Sequence, residues 1–221
     1  MKTILLKSFR SDFKGKMFLR LKQQLKECRG KDIILIGNYK TGRFDYDAIV
    51  ITPSDLFAFQ FTDNSGDTII VNDNVWVNKE DGSIVFSGSK TTNPYDQMRW
   101  KRNILHRHLY YFGVSFIKTV LVFPQLKDVV KGETRLNLVN HSWFLMSSAQ
   151  DMAQTIKSST SSTTIDYQRL LYFFRRKKAI YCYSRLSRFW HRTTIWLKNQ
   201  GKAILPFPKT VLGQVVPQQE I

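Results

Sequence analysis

The sequence predicts a mixed α/β domain: an antiparallel meander of strands flanked by helices, with a basic amphipathic helix appended toward the C-terminal end. Three observations carry this prediction. Residues 33–88 contain apolar runs of strand length broken by turn formers, and residues 15–28 and 93–113 place apolar side chains at helical spacing. The stretch from Tyr167 to Val216 holds 11 basic residues and no acidic one.

The chain has 221 residues, enough to bury a real core without disulfide staples. A hydrophobic fraction of 43% and a charged fraction of 23% suit a folded globular chain. The charge balance is unusual: 34 Lys and Arg against 17 Asp and Glu give a formal net charge of +17. That favours a polyanionic partner, nucleic acid before an acidic membrane surface. Cys28 and Cys182 lie far apart, with neither metal-ligand nor disulfide-framework spacing, so a reducing cytoplasm is the expected compartment. The apolar run near the N-terminus is too short for a secretory signal, and no stretch has the length and apolarity of a transmembrane segment.

Taken in order, "GKMFLRLKQQLKEC" (15–28) spaces Met17, Leu21, Leu25 and Cys28 as one helical face. "IILIGNY" (33–39) is a short strand. "GRFDYDAIVI" and "LFAFQFT" follow as two more, joined by a Thr-Pro-Ser-Asp turn. In the second of these, Phe57, Phe59 and Phe61 alternate with Ala58, Gln60 and Thr62, which predicts one aromatic core face and one small, polar face. "TIIVNDNVWVNKEDGSIVFSG" continues the strands, with Asp81-Gly82 as a hairpin turn.

The period changes to helical over 93–113, with Met98, Ile104, Leu105, Leu109 and Phe112 as core positions and Gly113 as the stop. "FIKTVLVFP" is a buried strand ended by Pro124, and "SWFLM" (142–146) is a shorter one. "SSAQDMAQTIK" has serines able to cap a short helix. The Ser/Thr run at 158–164 is a connector to "IDYQRLLYFF". Beyond it, Ala179, Cys182, Tyr183, Leu186, Phe189, Trp190, Thr193 and Trp196 fall on an apolar face, with Arg185, Arg188 and Arg192 on a separate stripe. Gly201 ends that helix, and a linker-like region with Pro206 and Pro208 follows.

The hairpin Asp47-Ala-Ile-Val-Ile-Thr-Pro53, then Leu56-Phe-Ala-Phe-Gln60-Phe-Thr62, then Gly66, resembles the nuclease-related domain (NERD) family of the PD-(D/E)XK nuclease-like superfamily. Trp76 in the next strand and Asn93-Pro94-x-x-Gln97 at a helix start add to the likeness, which runs from about residue 15 to about 175. The resemblance implies a restriction-endonuclease-like core in residues 1–175; the basic helix and Pro-containing tail over 176–221 are read from composition and spacing and are not explained by it. The resemblance also implies a divalent ion, usually magnesium, held by acidic oxygens beside the scissile phosphate, and a lysine that neutralises developing charge.

In that pattern Asp47 matches the family's aspartate, with Asp45 two residues earlier, so Asp47 is the candidate catalytic and metal-binding residue. Gln60 stands where the family has Glu, Thr62 where it has Lys, and Lys16 follows Gly15 where a Glu is usual. A cation at a formerly acidic corner repels a metal and attracts a phosphate. Lys90 and Lys101 are candidates for a lysine moved to another element.

Simpler readings compete. The two aspartates can mark a solvated strand entrance, and Gln60 and Thr62 can be ordinary strand residues. His106 and His108, two apart on a helix, do not share a face for a metal. His141 and His191 read as structural. The basic segment can be a core-packed helix with a solvated face, a phosphate-contacting surface with aromatics for stacking, or an interfacial membrane helix.

The leading expectation is a domain that binds nucleic acid without sequence specificity, DNA before RNA, over a degenerate metal site. Lys16, Arg175, Arg176, Lys177, Lys178, Arg185, Arg188 and Arg192 are its expected contacts. Magnesium is expected only if the site is active. One alternative is a Mg²⁺- or Mn²⁺-dependent nuclease using Asp47, with Asp45 and Gln60 as further candidates and a migrated lysine; another is an interaction or membrane-surface module through the basic helix. The family resemblance also implies a chain that stands alone or is joined to other domains, a fused or associated helicase among them.

Overall fold

The computed structural model describes residues 1–27, 32–41, 44–85, 93–134, 142–158 and 165–180. The chain divides into two compact units, residues 1–170 and residues 171–221. The second is described only as far as residue 180 and is helical there. Cys28, Lys90, His141, the run after Ser158 to 164, Cys182, Arg185, Arg188, His191, Arg192, Gly201, Pro206 and Pro208 lie outside the described residues.

The first unit is a mixed α/β layer structure, as the sequence predicts. A six-stranded sheet has the order β1-β2-β3-β4-β7-β9. The strands are β1 (Lys2–Leu5), β2 (Ile34–Thr41), β3 (Phe44–Ile51), β4 (Leu56–Phe61), β7 (Lys118–Phe123) and β9 (Phe144–Ser148). The antiparallel meander is β2-β3-β4. Strand β1 pairs parallel with β2 on one side, and β7 then β9 pair parallel on the other. The meander does not continue past β4: β5 (Thr68–Val71), β6 (Trp76–Asn78) and β8 (Asp128–Lys131) form a separate three-stranded sheet. Strand β1 is an addition to the elements read from sequence. Its four residues show a single buried position, Ile4, and so carry little periodic signal.

Helices α1 (Asp12–Glu27) and α3 (Met152–Lys157) cover one face of the large sheet. Met17, Phe18, Leu21 and Leu25 of α1 and Met152 and Ile156 of α3 share a core with Ala48, Val50, Phe57, Phe59, Phe61, Val120 and Val122. On the other face, Tyr95 and Met98 of α2 (Pro94–Leu109) pack with Leu121, Phe123 and Phe144, and with Ile69, Val71 and Trp76 of the small sheet. This double cover explains a difference from the sequence reading. Strand β4 is buried at all six positions, including Ala58 and Gln60, because its polar-looking face lies under protein and not under water.

Local chemistry fixes the element boundaries. Asn93 caps α2: its side-chain oxygen accepts from the Asp96 amide at 2.8 Å, and its Nδ2 donates to the Asp73 carbonyl at 2.6 Å. Pro94 occupies the first turn, where a missing N–H costs nothing. Gly113, at φ 75°, ends the helical run with its N–H on the Tyr110 carbonyl, 3.1 Å away. Gly37 permits a close approach: a Cβ there would stand 2.7 Å from Leu5 and 2.8 Å from the Phe18 ring. A buried ion pair braces the start of β7 to the turn before β4. Lys118 Nζ lies 2.6 Å from Asp55 Oδ1, and Ser54 donates to the other carboxylate oxygen at 2.8 Å.

The Asn93 cap joins the start of α2 to the small sheet's turn, so Asn93→Ala is expected to lower unfolding free energy by about 1–2 kcal/mol. Urea denaturation followed by tryptophan fluorescence measures this, and an unchanged midpoint would remove the cap from the account of α2.

Candidate functional site

Strands β3 and β4 pair only as far as Ala48↔Phe59. Past that point the side chain of Asp47 takes over from the backbone ladder. Its Oδ2 accepts from the Phe61 amide at 2.8 Å and from Gln60 Nε2 at 2.6 Å. A carboxylate 4% exposed requires such donors, because an unpaired buried charge is strongly disfavoured. The charge itself is met by Lys14, in the first turn of α1, whose Nζ lies 2.8 Å from Oδ1 and 3.1 Å from Oδ2.

The chain of contacts extends from the far oxygen of the Gln60 amide. Lys101 Nζ donates to Gln60 Oε1. Lys101 projects from α2 one helical turn after Gln97, so the capped Asn93-Pro94-x-x-Gln97 start aims this lysine at the sheet. Burial lowers the Lys101 pKa to about 8; Asp47 and Asp45 oppose that shift and Lys14 reinforces it. The Lys101 carbonyl accepts from the Tyr46 hydroxyl at 2.8 Å. Burial, with Tyr39 beside it, raises that phenol well above its ordinary value.

Asp47 and Gln60, paired in prospect by their place in the hairpin, are therefore in direct contact. Lys101, one of the two lysines able to supply a migrated cation, touches Gln60. Lys14 is the residue that sequence reasoning missed. Lys16, the position that the motif singles out, is exposed, and the ammonium on Asp47 comes from two residues earlier. Asp45 does not join the buried centre: it is exposed and pairs with Lys40 at 3.5 Å. Thr62 is buried after the end of β4, where its hydroxyl accepts from the Asn64 amide at 3.3 Å. Arg175, Arg176 and Lys178 are exposed on the helical stretch 167–180, and Lys177 Nζ sits 5.5 Å from the Phe173 ring centre.

The donor set does not suit a hard dication. Magnesium favours oxygen ligands in octahedral array, ordinarily with one or two carboxylates free to bind it. Here the carboxylate faces an ammonium, and the Gln60 amide is oriented by its two contacts so that its NH₂, not its oxygen, points at Asp47. Among the described residues no group of three or more His, Cys, Asp or Glu is placed to hold a metal. Also among them, no helix is long and apolar enough to cross a membrane.

A pocket of about 330 Å³ opens beside Asp47. Lys7, Arg10, Lys14 and Lys40 line it together with Asp45 and Asp47. Ser11, immediately before α1, and Asn38 of β2 complete its rim.

Two measurements test this centre. Asp47→Ala removes the acceptor for Lys14, Gln60 and the Phe61 amide, and is expected to cost about 1–3 kcal/mol of stability, mainly for the buried donors left unpaired; chemical denaturation checks it. Lys101 holds its proton to about pH 8 in the folded state and to about 10.5 when unfolded. Between those values the unfolded chain binds more protons, so the Lys101 contribution to stability rises with pH, by about 3 kcal/mol in all. The stability of Lys101→Met relative to wild type should therefore fall across that window, and a flat difference would contradict the buried ammonium.

A family model described as the nuclease-related domain matches residues 13–124. No curated protein and no solved structure matches the chain.

Proposed function

Since the chain belongs to the nuclease-related domain family, we propose that it binds nucleic acid without sequence specificity and that its Asp47 centre holds the fold instead of a metal. Residues 1–175 form the nuclease-related part in this reading, and 176–221 a basic extension. The observation that carries it is the Lys14–Asp47–Gln60–Lys101 chain. The Lys14 ammonium sits on both oxygens of Asp47, which a catalytic site of this kind requires open to a cation. Strand cleavage is then not the principal activity.

The net charge of +17 supports a polyanion as the partner. Cations are spread over several elements: Lys16 on α1, and Arg175, Arg176, Lys177 and Lys178 on the stretch 167–180, with Arg185, Arg188 and Arg192 further along the sequence. Such residues contact phosphates, and they do not read bases. Helix α2 and the turn after it add Trp100, Tyr110 and Tyr111, 49%, 61% and 80% exposed, with exposed Arg99 and Arg107 on the same stretch. Exposed aromatics among cations suit stacking on unpaired bases. We take DNA as the first partner to test, in a cytoplasmic setting.

Binding of a mixed-sequence DNA should weaken by about a thousandfold between 50 and 200 mM salt if six or more phosphates are contacted. Replacing Arg175, Arg176, Lys177 and Lys178 by alanine should reduce the slope of log affinity against log salt by about one for each phosphate that is no longer neutralised. An affinity indifferent to salt would overturn the proposal.

A second reading, a metal-dependent phosphodiesterase, is favoured by one observation: a buried lysine with a lowered pKa rests on Gln60, at the position of the family's second acid. Cleavage of single- and double-stranded DNA and RNA with Mg²⁺ or Mn²⁺ decides between the two. Activity in wild type that Asp47→Asn abolishes, with the variant folded by circular dichroism, would establish the enzyme.

A further inference from the structure

The pocket beside Asp47 has a charge balance that the buried centre does not use. Four cationic side chains, Lys7, Arg10, Lys14 and Lys40, face two carboxylates, Asp45 and Asp47, leaving a formal +2 around a space of about 330 Å³. Both carboxylates already have a lysine within ion-pair distance, Lys14 on Asp47 and Lys40 on Asp45. They are therefore partly screened from an incoming anion. That volume lies at the small end of ligand sites, suited to a compact charged group.

The pocket wall is also held in shape. The segment between β1 and α1 that supplies Lys7 and Arg10 is fixed from several sides. Leu6 N–H donates to the Gly37 carbonyl at 3.1 Å, Asn38 Nδ2 donates to the Ser8 carbonyl at 2.8 Å, and the Phe9 ring lies 5.3 Å from that of Phe18. Among the described residues Asn38 is the only non-glycine with positive φ, at 53°. Asparagine adopts this region more readily than other side chains because its short amide hydrogen-bonds nearby backbone. Here that conformation turns the Asn38 amide toward the segment that carries the cations. Ser11 and Lys14 add the amino end of α1, a 16-residue helix whose dipole favours an anion there.

We propose that this pocket takes a phosphate monoester, the terminal phosphate of a nucleic-acid strand, so that the protein recognises phosphorylated strand ends in preference to continuous backbone. The charge argues for the monoester. A phosphodiester carries one negative charge, whereas a phosphate monoester carries about 1.5 to 2 at neutral pH and offers three acceptor oxygens. The +2 pocket is thus neutralised by one terminal phosphate. Arg10 contributes a planar guanidinium able to grip two of those oxygens at once, and Lys7, Lys14 and Lys40 contribute ammonium donors. The proposal rests on the nucleic-acid reading above and names the part of the strand that this pocket holds.

The test uses the full chain and four probes: one oligonucleotide with a 5′-phosphate, the same one with a 3′-phosphate, its unphosphorylated twin, and inorganic phosphate as competitor. At fixed salt, one of the phosphorylated strands should bind about tenfold more tightly than the unphosphorylated twin. Inorganic phosphate should erase that difference. Arg10→Ala and Lys40→Ala, both at exposed positions, should each lose the preference while retaining salt-dependent binding of the unphosphorylated strand. Equal affinity for all three strands overturns the proposal and leaves nonspecific nucleic-acid binding in place. A preference that survives both substitutions places the monoester elsewhere and also overturns it. Binding of inorganic phosphate with no binding of any strand overturns the nucleic-acid reading itself, and with it the strand end as the source of the monoester.

Discussion

The carboxylate of Asp47 has to be compensated where it stands, and its donors tie the first unit together. It lies at the point where β3 and β4 cease to pair, and its oxygens serve a backbone amide of β4, the Gln60 side chain and an ammonium from α1. Through Gln60 the same group is coupled to Lys101 on α2. Helices on opposite faces of the sheet are thereby joined through one polar link passing the end of the strands. Apolar packing supplies most of the driving force for the two layers, but it does not specify direction. The hydrogen bonds to Asp47 set where α1 and α2 lie along the strands, because hydrogen bonds are directional and costly to leave unmade.

Much of the fold could be read from the sequence because its signals are local. The three-and-four spacing of Met17, Leu21 and Leu25, the alternation of Phe57, Phe59 and Phe61, and the Asn-Pro start of α2 each report on their own segment. The parallel pairings and the separate sheet of β5, β6 and β8 are long-range, and no local period encodes which strand lies beside which. Strand β4 shows the same limit. Its alternation suggests one polar face, but burial depends on α2, which the period of β4 cannot reveal.

The site divides in the same way. The motif spacing placed Asp47 and Gln60 together across a hairpin, and this is a geometric consequence of antiparallel pairing. The lysines were harder. Lys14 and Lys16 differ by two positions on one helix and so point to different sides of it; choosing between them requires the angle at which α1 crosses the sheet. Lys101 is the one cation of α2 that is buried, with Arg102 half-buried beside it on the Ile117 carbonyl, a consequence of the cap at Asn93 and the phase it imposes on the helix.

The orientation of the Gln60 amide decides which charges can share this centre. Its two ends match its neighbours in polarity, oxygen toward the ammonium of Lys101 and nitrogen toward the carboxylate of Asp47. A glutamate at that position would satisfy Lys101 but would set a second negative oxygen against Asp47, and Lys14 would remain on the first. A carboxylate there would therefore trade an amide matched at both ends for one favourable and one repulsive contact. The amide acts as a polarity adapter: one continuous link starts on an anion and ends on a cation, with no charge of its own in between.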